Sequence, residues 1–271
     1  MNVSPTAQVL LNAYDQVRQI DPAALPADLS LEDAANIQRE IISVREGRGE
    51  KPVGYKIGFT NRTIWDRYGV HHPIWGPVYD TTLTLLDSND AGVLDISRFT
   101  EPRLEPEIVI KLRQSPLDAN LISVARAIDW VAHGFEIVQS AYPGWQFSGA
   151  QSFAAQALHG ALLVGPRHPA TMIGSPESLP SRLSGLSLSL YRDDETTAVD
   201  QGSGINVLDG PLHALAHLVA ALLERGETLR PDAIITTGTL TDAQPLLAGQ
   251  RWRSELADAG PIEGLSLMIA G

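Results

Sequence analysis

The chain has 271 residues, of which 44% are hydrophobic, and it contains no cysteine. This composition predicts a globular protein with one large domain, or one domain with a small appendage. The lack of cysteine excludes disulfides, thiol catalysis and Cys-ligated metals. The formal net charge of -12 disfavours nucleic acid and anionic membranes as partners, because such binding needs clustered Lys and Arg.

No targeting or membrane segment is evident in the sequence. The first residues lack the basic region, apolar core and cleavage site of a signal peptide. No apolar run approaches the roughly 20 residues that a membrane helix needs. We therefore expect a cytoplasmic protein.

The N-terminal fifty residues are predicted to be helical. Apolar residues recur at helical spacing from Val9 to Ile20. Ser30 can cap a second helix, whose apolar stripe runs from Leu31 to Ile42. The charged, glycine-containing stretch 45–52 predicts a linker. We expect an N-terminal helical segment at 1–51 and a β-rich catalytic body at 52–271.

The rest of the chain is predicted to be dominated by a sheet. Short β-branched and aromatic runs separated by Gly and Pro predict strands at 53–59, 82–86, 107–112, 162–164, 186–191, 234–237 and 265–269. A helix is predicted from Pro211 to Gly226, and a weaker one at 122–132. A long loop at 62–80 carries His71 and His72, which are second-tier candidates for proton transfer.

Three glutamates form the main candidate site. Glu105 and Glu107 lie two residues apart at the start of a predicted strand, so both side chains point to the same side. Glu136 lies in another short β-branched run. Like charges held close together need a partner, and an all-oxygen ligand set suits Mg²⁺ or Mn²⁺. From spacing alone, solvated surface acids are the more common interpretation of such a motif.

Other candidates are weaker. Lys56 interrupts an apolar run and would be costly to bury without an acid or an anionic ligand, although a surface ammonium is the simpler interpretation. His213 and His217 have metal-binding spacing, but Ala214 replaces the glutamate of the zinc motif, so we expect packing or surface histidines. The Gly-x-Gly at 202–204 lacks the rest of a dinucleotide fingerprint. The sequence contains no Gly-x-Ser-x-Gly motif, so we do not expect a serine hydrolase.

Four segments together, 54–60, 103–107, 135–138 and 229–239, resemble the 2-keto-4-pentenoate hydratase / 4-oxalocrotonate decarboxylase family. This family lies within the fumarylacetoacetate hydrolase superfamily. The resemblance implies an α+β fold, a mixed β-sheet roll with an N-terminal helical segment, usually assembled as a homo-oligomer. It implies Mg²⁺ or Mn²⁺ as the cofactor. It also implies metal ligands at Glu105, Glu107 and Glu136, an active-site lysine at Lys56 and an acidic group beside the substrate at Asp80.

The implied function is a hydratase that adds water to a 2-hydroxy-alkadienoate, or 2-keto-4-enoate, in the catabolism of aromatic or related compounds. The alternatives are a 2-keto acid decarboxylase, an acylpyruvate carbon-carbon hydrolase with His71 or His72 beside a glutamate, and a non-catalytic 2-keto acid binding protein. Gln139, Gln156 and His159 depart from the Asp, Asn and Ser that relatives carry. These departures leave the substrate and the reaction open, and make His159 a further catalytic candidate.

Overall fold

The computed structural model describes residues 3–26 and 28–271. Ser4 and Ser30 cap the first two helices, because their side chains accept hydrogen bonds from Ala7 N and Asp33 N. In the described part of the chain the helices are α1 (Pro5–Asp15), α2 (Leu31–Gly47), α3 (Trp65–Tyr68), α4 (Leu121–Arg126), α5 (Gly149–Ala154), α6 (Ala170–Ile173), α7 (Leu179–Gly185) and α8 (Pro211–Glu224).

The described strands all lie after residue 51. They are β1 (Pro52–Gly58), β2 (Ile74–Tyr79), β3 (Leu83–Leu85), β4 (Asp90–Asp95), β5 (Arg103–Leu112), β6 (Ile128–Val138), β7 (His159–Val164), β8 (His168–Pro169), β9 (Ser187–Arg192), β10 (Asp200–Ser203), β11 (Ile234–Thr239), β12 (Gln244–Pro245), β13 (Arg251–Ala257) and β14 (Ser266–Ala270).

Two mixed sheets are formed by the described strands. The larger sheet has the order β2-β1-β11-β5-β6-β7-β3, with β12 paired to β5 and β8 paired to β6. The smaller sheet has the order β10-β9-β13-β14-β4. The pairs β1/β11, β3/β7 and β4/β14 are parallel, and the other pairs are antiparallel. The predicted α+β fold with a mixed sheet is therefore confirmed.

The N-terminal helices pack onto this body. Leu10 of α1 and Ile41 of α2 are fully buried and belong to the same hydrophobic cluster as Ile57 of β1 and Phe135 of β6. Burial of such side chains is the dominant favourable term in folding. The division between residues 1–51 and 52–271 stays a prediction.

Two predictions of secondary structure are wrong. The helix expected at 122–132 ends at Arg126, and β6 begins at Ile128. The apolar residues of this stretch continue into a strand paired along the length of β5, and burial on both faces removes the alternation that would have indicated a strand. The loop expected at 62–80 contains α3 and β2, of which β2 is buried throughout.

The segment Gly204–Glu224 is long and apolar enough for a membrane span by length and composition, contrary to the expectation that no such run is present. In the structure, 56% of its apolar window is buried inside the protein. Leu212, Leu215 and Leu218 of α8 lie fully in the core. The segment is thus accounted for as a core helix.

Candidate metal centre and active site

The three predicted glutamates converge. Glu105 and Glu107 lie on β5 and Glu136 lies on β6, where Glu105 is directly opposite Glu136 and Glu107 is opposite Gly134. Alternation of side chains along β5 puts both of its acids on one face, as the sequence predicted. One carboxylate oxygen from each of the three residues lies within 4.8 Å of the others. This spacing allows the three side chains to share one ion.

Burial makes this cluster costly without a partner. Glu107 and Glu136 are fully buried. Burial raises the pKa of Glu136 to about 7, an effect that Lys56 opposes and Glu105 reinforces. Burial, then the charges of Glu136 and Glu105, raise the pKa of Glu107 well above its usual range. Burial also raises the pKa of Glu105, against the charges of Lys56 and Arg103. A bound cation would remove this repulsion.

Glu107 is held from β11. Its Oε2 accepts hydrogen bonds from Thr236 Oγ1 and, at 2.7 Å, from Gly238 N. Glycine is required at 238, because φ is +109° and a Cβ there would lie 1.9 Å from Thr60 Oγ1. The other oxygen, Oε1, is buried and accepts no hydrogen bond from the residues that the structure describes. An unpaired buried carboxylate oxygen beside two more acids fits a ligand for a hard cation.

Lys56 of β1 lies beside the cluster and is almost fully buried. Its Nζ is 3.2 Å from Glu136 Oε2 and 3.8 Å from Glu105 Oε2. Burial alone would lower the pKa of Lys56, but the charges of Glu136, Glu105 and Glu107 outweigh burial and raise it. Lys56 therefore stays protonated, and one ammonium faces three carboxylates. If all three carboxyl groups are ionised, the four side chains carry a net charge of about -2, which one divalent cation would neutralise.

His159, at the start of β7, also contacts the cluster. Its Nδ1 is 2.8 Å from Glu136 Oε1, and its Nε2 is 2.9 Å from Thr82 Oγ1. Burial, together with the charges of Lys56 and Arg45, lowers the pKa of His159 well below its ordinary value. A neutral imidazole beside a carboxylate oxygen donates from Nδ1, because that oxygen can only accept.

A cavity of about 100 Å³ opens beside Lys56 and Glu105. Its walls are largely apolar and aromatic. Tyr68 stacks on Phe147 with ring centroids 5.1 Å apart, and Trp145 lies 6.0 Å from Phe147. The guanidinium of Arg103 lies 4.1 Å above the Trp145 ring and also lines the cavity. The site can thus hold a small organic anion whose charged end faces Lys56.

Several predicted candidates lie elsewhere. Asp80 is exposed, and its carboxylate accepts a hydrogen bond from Lys51 N at 2.9 Å. The structure does not bring it into the cavity beside Lys56. His71 and His72 line a different cavity, and no glutamate lines that cavity with them in the described part of the chain. The acylpyruvate hydrolase alternative requires His71 or His72 beside a glutamate, so the placement of these histidines does not support it.

The two other departures from the family pattern make structural contacts. Gln139 Oε1 accepts a hydrogen bond from Thr100 N at 3.3 Å, and Gln156 Oε1 accepts one from Arg45 at 3.1 Å. Sequence reasoning assigned no role to Thr236 or Gly238, which hold Glu107. The available signal was the polar run of residues 236–239 directly after the apolar pair 234–235.

Comparison with known proteins identifies relatives of the chain. No family model matches it. It is 30% identical over 236 residues to a 4-oxalocrotonate decarboxylase of Pseudomonas sp., covering 86% of each chain. It is 28% identical over 261 residues to a 2-keto-4-pentenoate hydratase of Paraburkholderia xenovorans (strain LB400), covering 94% of this chain and 91% of that one. The structure of 4-oxalocrotonate decarboxylase from Pseudomonas putida G7, complexed with magnesium and adipate, matches with a TM-score of 0.86 and 27% identity over 97% of this chain and 95% of that one.

The fold and the buried carboxylates define a protein able to hold a hard divalent cation beside a small organic acid. The chain belongs to the 2-keto-4-pentenoate hydratase / 4-oxalocrotonate decarboxylase family of the fumarylacetoacetate hydrolase superfamily. The predicted family is confirmed, and so is the predicted divalent cofactor, Mg²⁺ or Mn²⁺. The assignment of Glu105, Glu107 and Glu136 as its ligands stays a prediction.

Proposed function

We propose that the protein is a divalent-metal-dependent hydratase that adds water to a 2-hydroxy-alkadienoate, giving a 4-hydroxy-2-keto acid, in the catabolism of aromatic or related compounds. The observation that carries this proposal is the convergence of Glu105, Glu107, Glu136 and Lys56 at one end of an aromatic-walled cavity. The cofactor is Mg²⁺ or Mn²⁺, because all the candidate ligands are carboxylate oxygens.

Glu105, Glu107 and Glu136 would hold the cation. When bound, it supplies a Lewis acid for the carboxylate and the 2-oxygen of a 2-keto acid. Thr236 and Gly238 keep Oε2 of Glu107 in place through their hydrogen bonds. Preorganised ligands of this kind do not have to reorient when the substrate arrives.

Lys56 supplies positive charge and a proton. Hydration moves the 2-hydroxyl proton to a carbon of the diene, then adds the hydroxyl of water to C4 and a proton to C3. Lys56 Nζ is protonated at the edge of the cavity, so it can hydrogen-bond the anionic substrate and pass a proton to it. In a chain with a net charge of -12, this local charge also favours entry of an anion.

The aromatic wall binds the hydrocarbon part of the substrate. Phe59, Tyr68, Trp145 and Phe147 line the cavity together. Flat apolar side chains pack against a conjugated chain and keep bulk water away from the charged groups. The water that adds to C4 would then enter along a restricted path.

A second candidate is decarboxylation of a 2-keto diacid, and Arg103 is the observation that favours it. Its guanidinium lines the cavity and makes no hydrogen bond and no ion pair within 4.0 Å with the described residues. A second carboxylate on the substrate could bind there. In that reaction the bond to the distal carboxylate breaks, CO₂ leaves, the electron pair enters the conjugated keto system, and a proton returns to carbon.

A panel of 2-hydroxy-dienoates and 2-keto diacids, assayed with and without Mg²⁺ or Mn²⁺, tests the proposal. Loss of the ultraviolet chromophore without CO₂ release is expected with the monoacids. CO₂ release from diacids would support the second candidate instead. Metal binding with no turnover of any member would favour a non-catalytic binding protein.

We also propose that the protein is cytoplasmic. We further propose that it forms a homo-oligomer, as the family resemblance implies. Light scattering of the purified full chain measures its mass in solution. A mass of 29.2 kDa, that of one chain, would contradict the oligomer.

A further inference from the structure

An unusual turn precedes His159. The three residues Gln156, Ala157 and Leu158 all have positive φ, at 56°, 51° and 65°. None of them is glycine, and each such residue costs roughly 1–2 kcal/mol relative to a right-handed conformation. Backbone strain of this kind persists only where the surrounding structure imposes it, and it concentrates at functional sites.

Neighbouring elements hold this turn from several sides. Leu158 N donates to Ala155 O at 3.0 Å, and Leu158 O accepts from Gln139 N at 2.9 Å. Strand β2 packs directly against the turn at Gly76, where a Cβ would lie 2.1 Å from Gln156 O. The close approach therefore depends on a glycine at 76. These contacts fix the direction in which the backbone enters β7.

The turn delivers His159 onto Glu136. Nδ1 of His159 lies 2.8 Å from Oε1 of Glu136, and both side chains are almost fully buried. The opposite ring nitrogen lies 2.9 Å from Thr82 Oγ1. Thr82 also accepts a hydrogen bond from Tyr79 N at 3.1 Å. The Thr82 hydroxyl is also placed to donate to Tyr79 O at 3.1 Å, so Thr82 does not set the tautomer of His159. The proton of the neutral ring is assigned to Nδ1 because the carboxylate oxygen of Glu136 can only accept.

The two oxygens of Glu136 thus have different partners. Oε1 accepts from His159, whereas Oε2 is 3.2 Å from Lys56 Nζ, which also lies 3.8 Å from Glu105 Oε2. A carboxylate held through one oxygen presents the other in a fixed direction. Partners that orient a ligand in this way typically change metal affinity by 10–100-fold when they are removed.

We propose that His159 is a positioning residue for the metal site, holding Glu136 through its Nδ1–H so that Oε2 faces Glu105 and Glu107. This inference rests on the proposed metal site. It assigns His159 a role through Glu136 and no contact with the substrate. The donor at Nδ1, and not the ring as such, is the required feature.

Two amide substitutions distinguish a requirement for a donor at the position of Nδ1 from a requirement for the imidazole ring itself. The side-chain amide of His159→Asn can occupy the position of Nδ1, whereas that of His159→Gln reaches the position of Nε2. Mn²⁺ affinity of the full chain is measured by calorimetry and by electron paramagnetic resonance of free Mn²⁺. We expect His159→Asn to bind within about threefold of wild type, and His159→Gln and His159→Ala to bind about 10–100-fold more weakly.

His213→Asn and His213→Gln are matched controls, because His213 lies on α8 and does not line the cavity. They should leave Mn²⁺ affinity unchanged. Equal affinity of wild type, His159→Asn and His159→Gln would overturn the inference, as would equal losses in both variants, which would indicate a role in packing. Failure of the metal site itself is distinguishable, because wild type would then bind no Mn²⁺.

A spectroscopic measurement on the unmodified protein gives an independent test. The ¹⁵N shifts of the His159 ring, assigned by comparison with His159→Asn, should show a protonated Nδ1 and an unprotonated Nε2. They should shift when Mg²⁺ is added. A protonated Nε2 with a free Nδ1 would contradict the proposal.

Discussion

Replacing Glu107 by Gln should raise the free energy of unfolding of the metal-free protein and remove the stabilisation that a bound cation gives. Without metal, the change removes one of the three carboxyl groups of the cluster while keeping the volume. Lys56 forms its ion pairs with Glu105 and Glu136, so neither pair is lost. The amide oxygen can still accept from Gly238 N, and the NH₂ group takes the place of the unpaired Oε1.

The expected magnitudes follow from these contacts. An unsatisfied buried polar group costs about 1–3 kcal/mol, so metal-free Glu107→Gln should be more stable than metal-free wild type by roughly that amount. At a free Mg²⁺ concentration of about 100 times Kd, wild type should gain about 2.7 kcal/mol. The variant should gain almost nothing. In thermal unfolding, the wild-type gain corresponds to a shift of about 5–10 °C.

Urea and thermal unfolding of both proteins, with Mg²⁺ or with EDTA, measure these differences. Turnover of the preferred substrate should fall to background in the variant. Glu263→Gln, at an exposed position, is the control and should behave as wild type. An equal metal-induced shift in Glu107→Gln and wild type would refute the reasoning, since Glu107 would then not be a ligand.

Three further predictions concern other residues. Lys56→Met should lower kcat by at least about 100-fold while Mn²⁺ affinity is kept or increased, because the variant loses a charge that repels the ion; unchanged kcat would remove Lys56 from the mechanism. Arg103→Met should raise KM for a diacid by about tenfold or more and leave KM for a monoacid unchanged, so equal effects on both would argue against a second carboxylate site. Burial lowers the pKa of His133 to about 4, so the unfolded chain binds its proton first as the pH falls. The contribution of His133 to the free energy of unfolding should therefore decrease by up to about 3 kcal/mol from about pH 6.5 towards pH 4. Urea unfolding of wild type and His133→Gln across this range tests it, and identical slopes would contradict it.

The sequence predicted the local part of the site well. Glu105 and Glu107 are two residues apart on one strand, and alternation along a strand is a property of the sequence itself. Their convergence with Glu136 depends on the pairing of β5 with β6 in one register, since a shift by one residue would turn these side chains to the other face. The family resemblance supplied that pairing indirectly.

Other parts could not be predicted from local patterns. Asp80 directly follows β2, which the sequence did not reveal, because β2 is buried throughout and shows no alternation. The position of Asp80 beside Lys51, and not beside Lys56, depends on the pairing of β1 with β2. The contact of His159 with Glu136 likewise requires a turn of three residues with positive φ, a conformation that the residues Gln-Ala-Leu do not favour.

The residues of the site come from five strands that are neighbours in the sheet but far apart in the sequence. Lys56 is on β1, Thr236 on β11, Glu107 on β5, Glu136 on β6 and His159 on β7, in the order in which these strands pair. Strand β11 lies between β1 and β5 although it is formed more than a hundred residues later in the sequence. The oxygen of Glu107 is therefore fixed only after this late strand is inserted. In the complete sheet the acids repel one another until a cation binds. The ion and the central sheet should therefore stabilise each other, so metal binding and completion of the sheet are coupled.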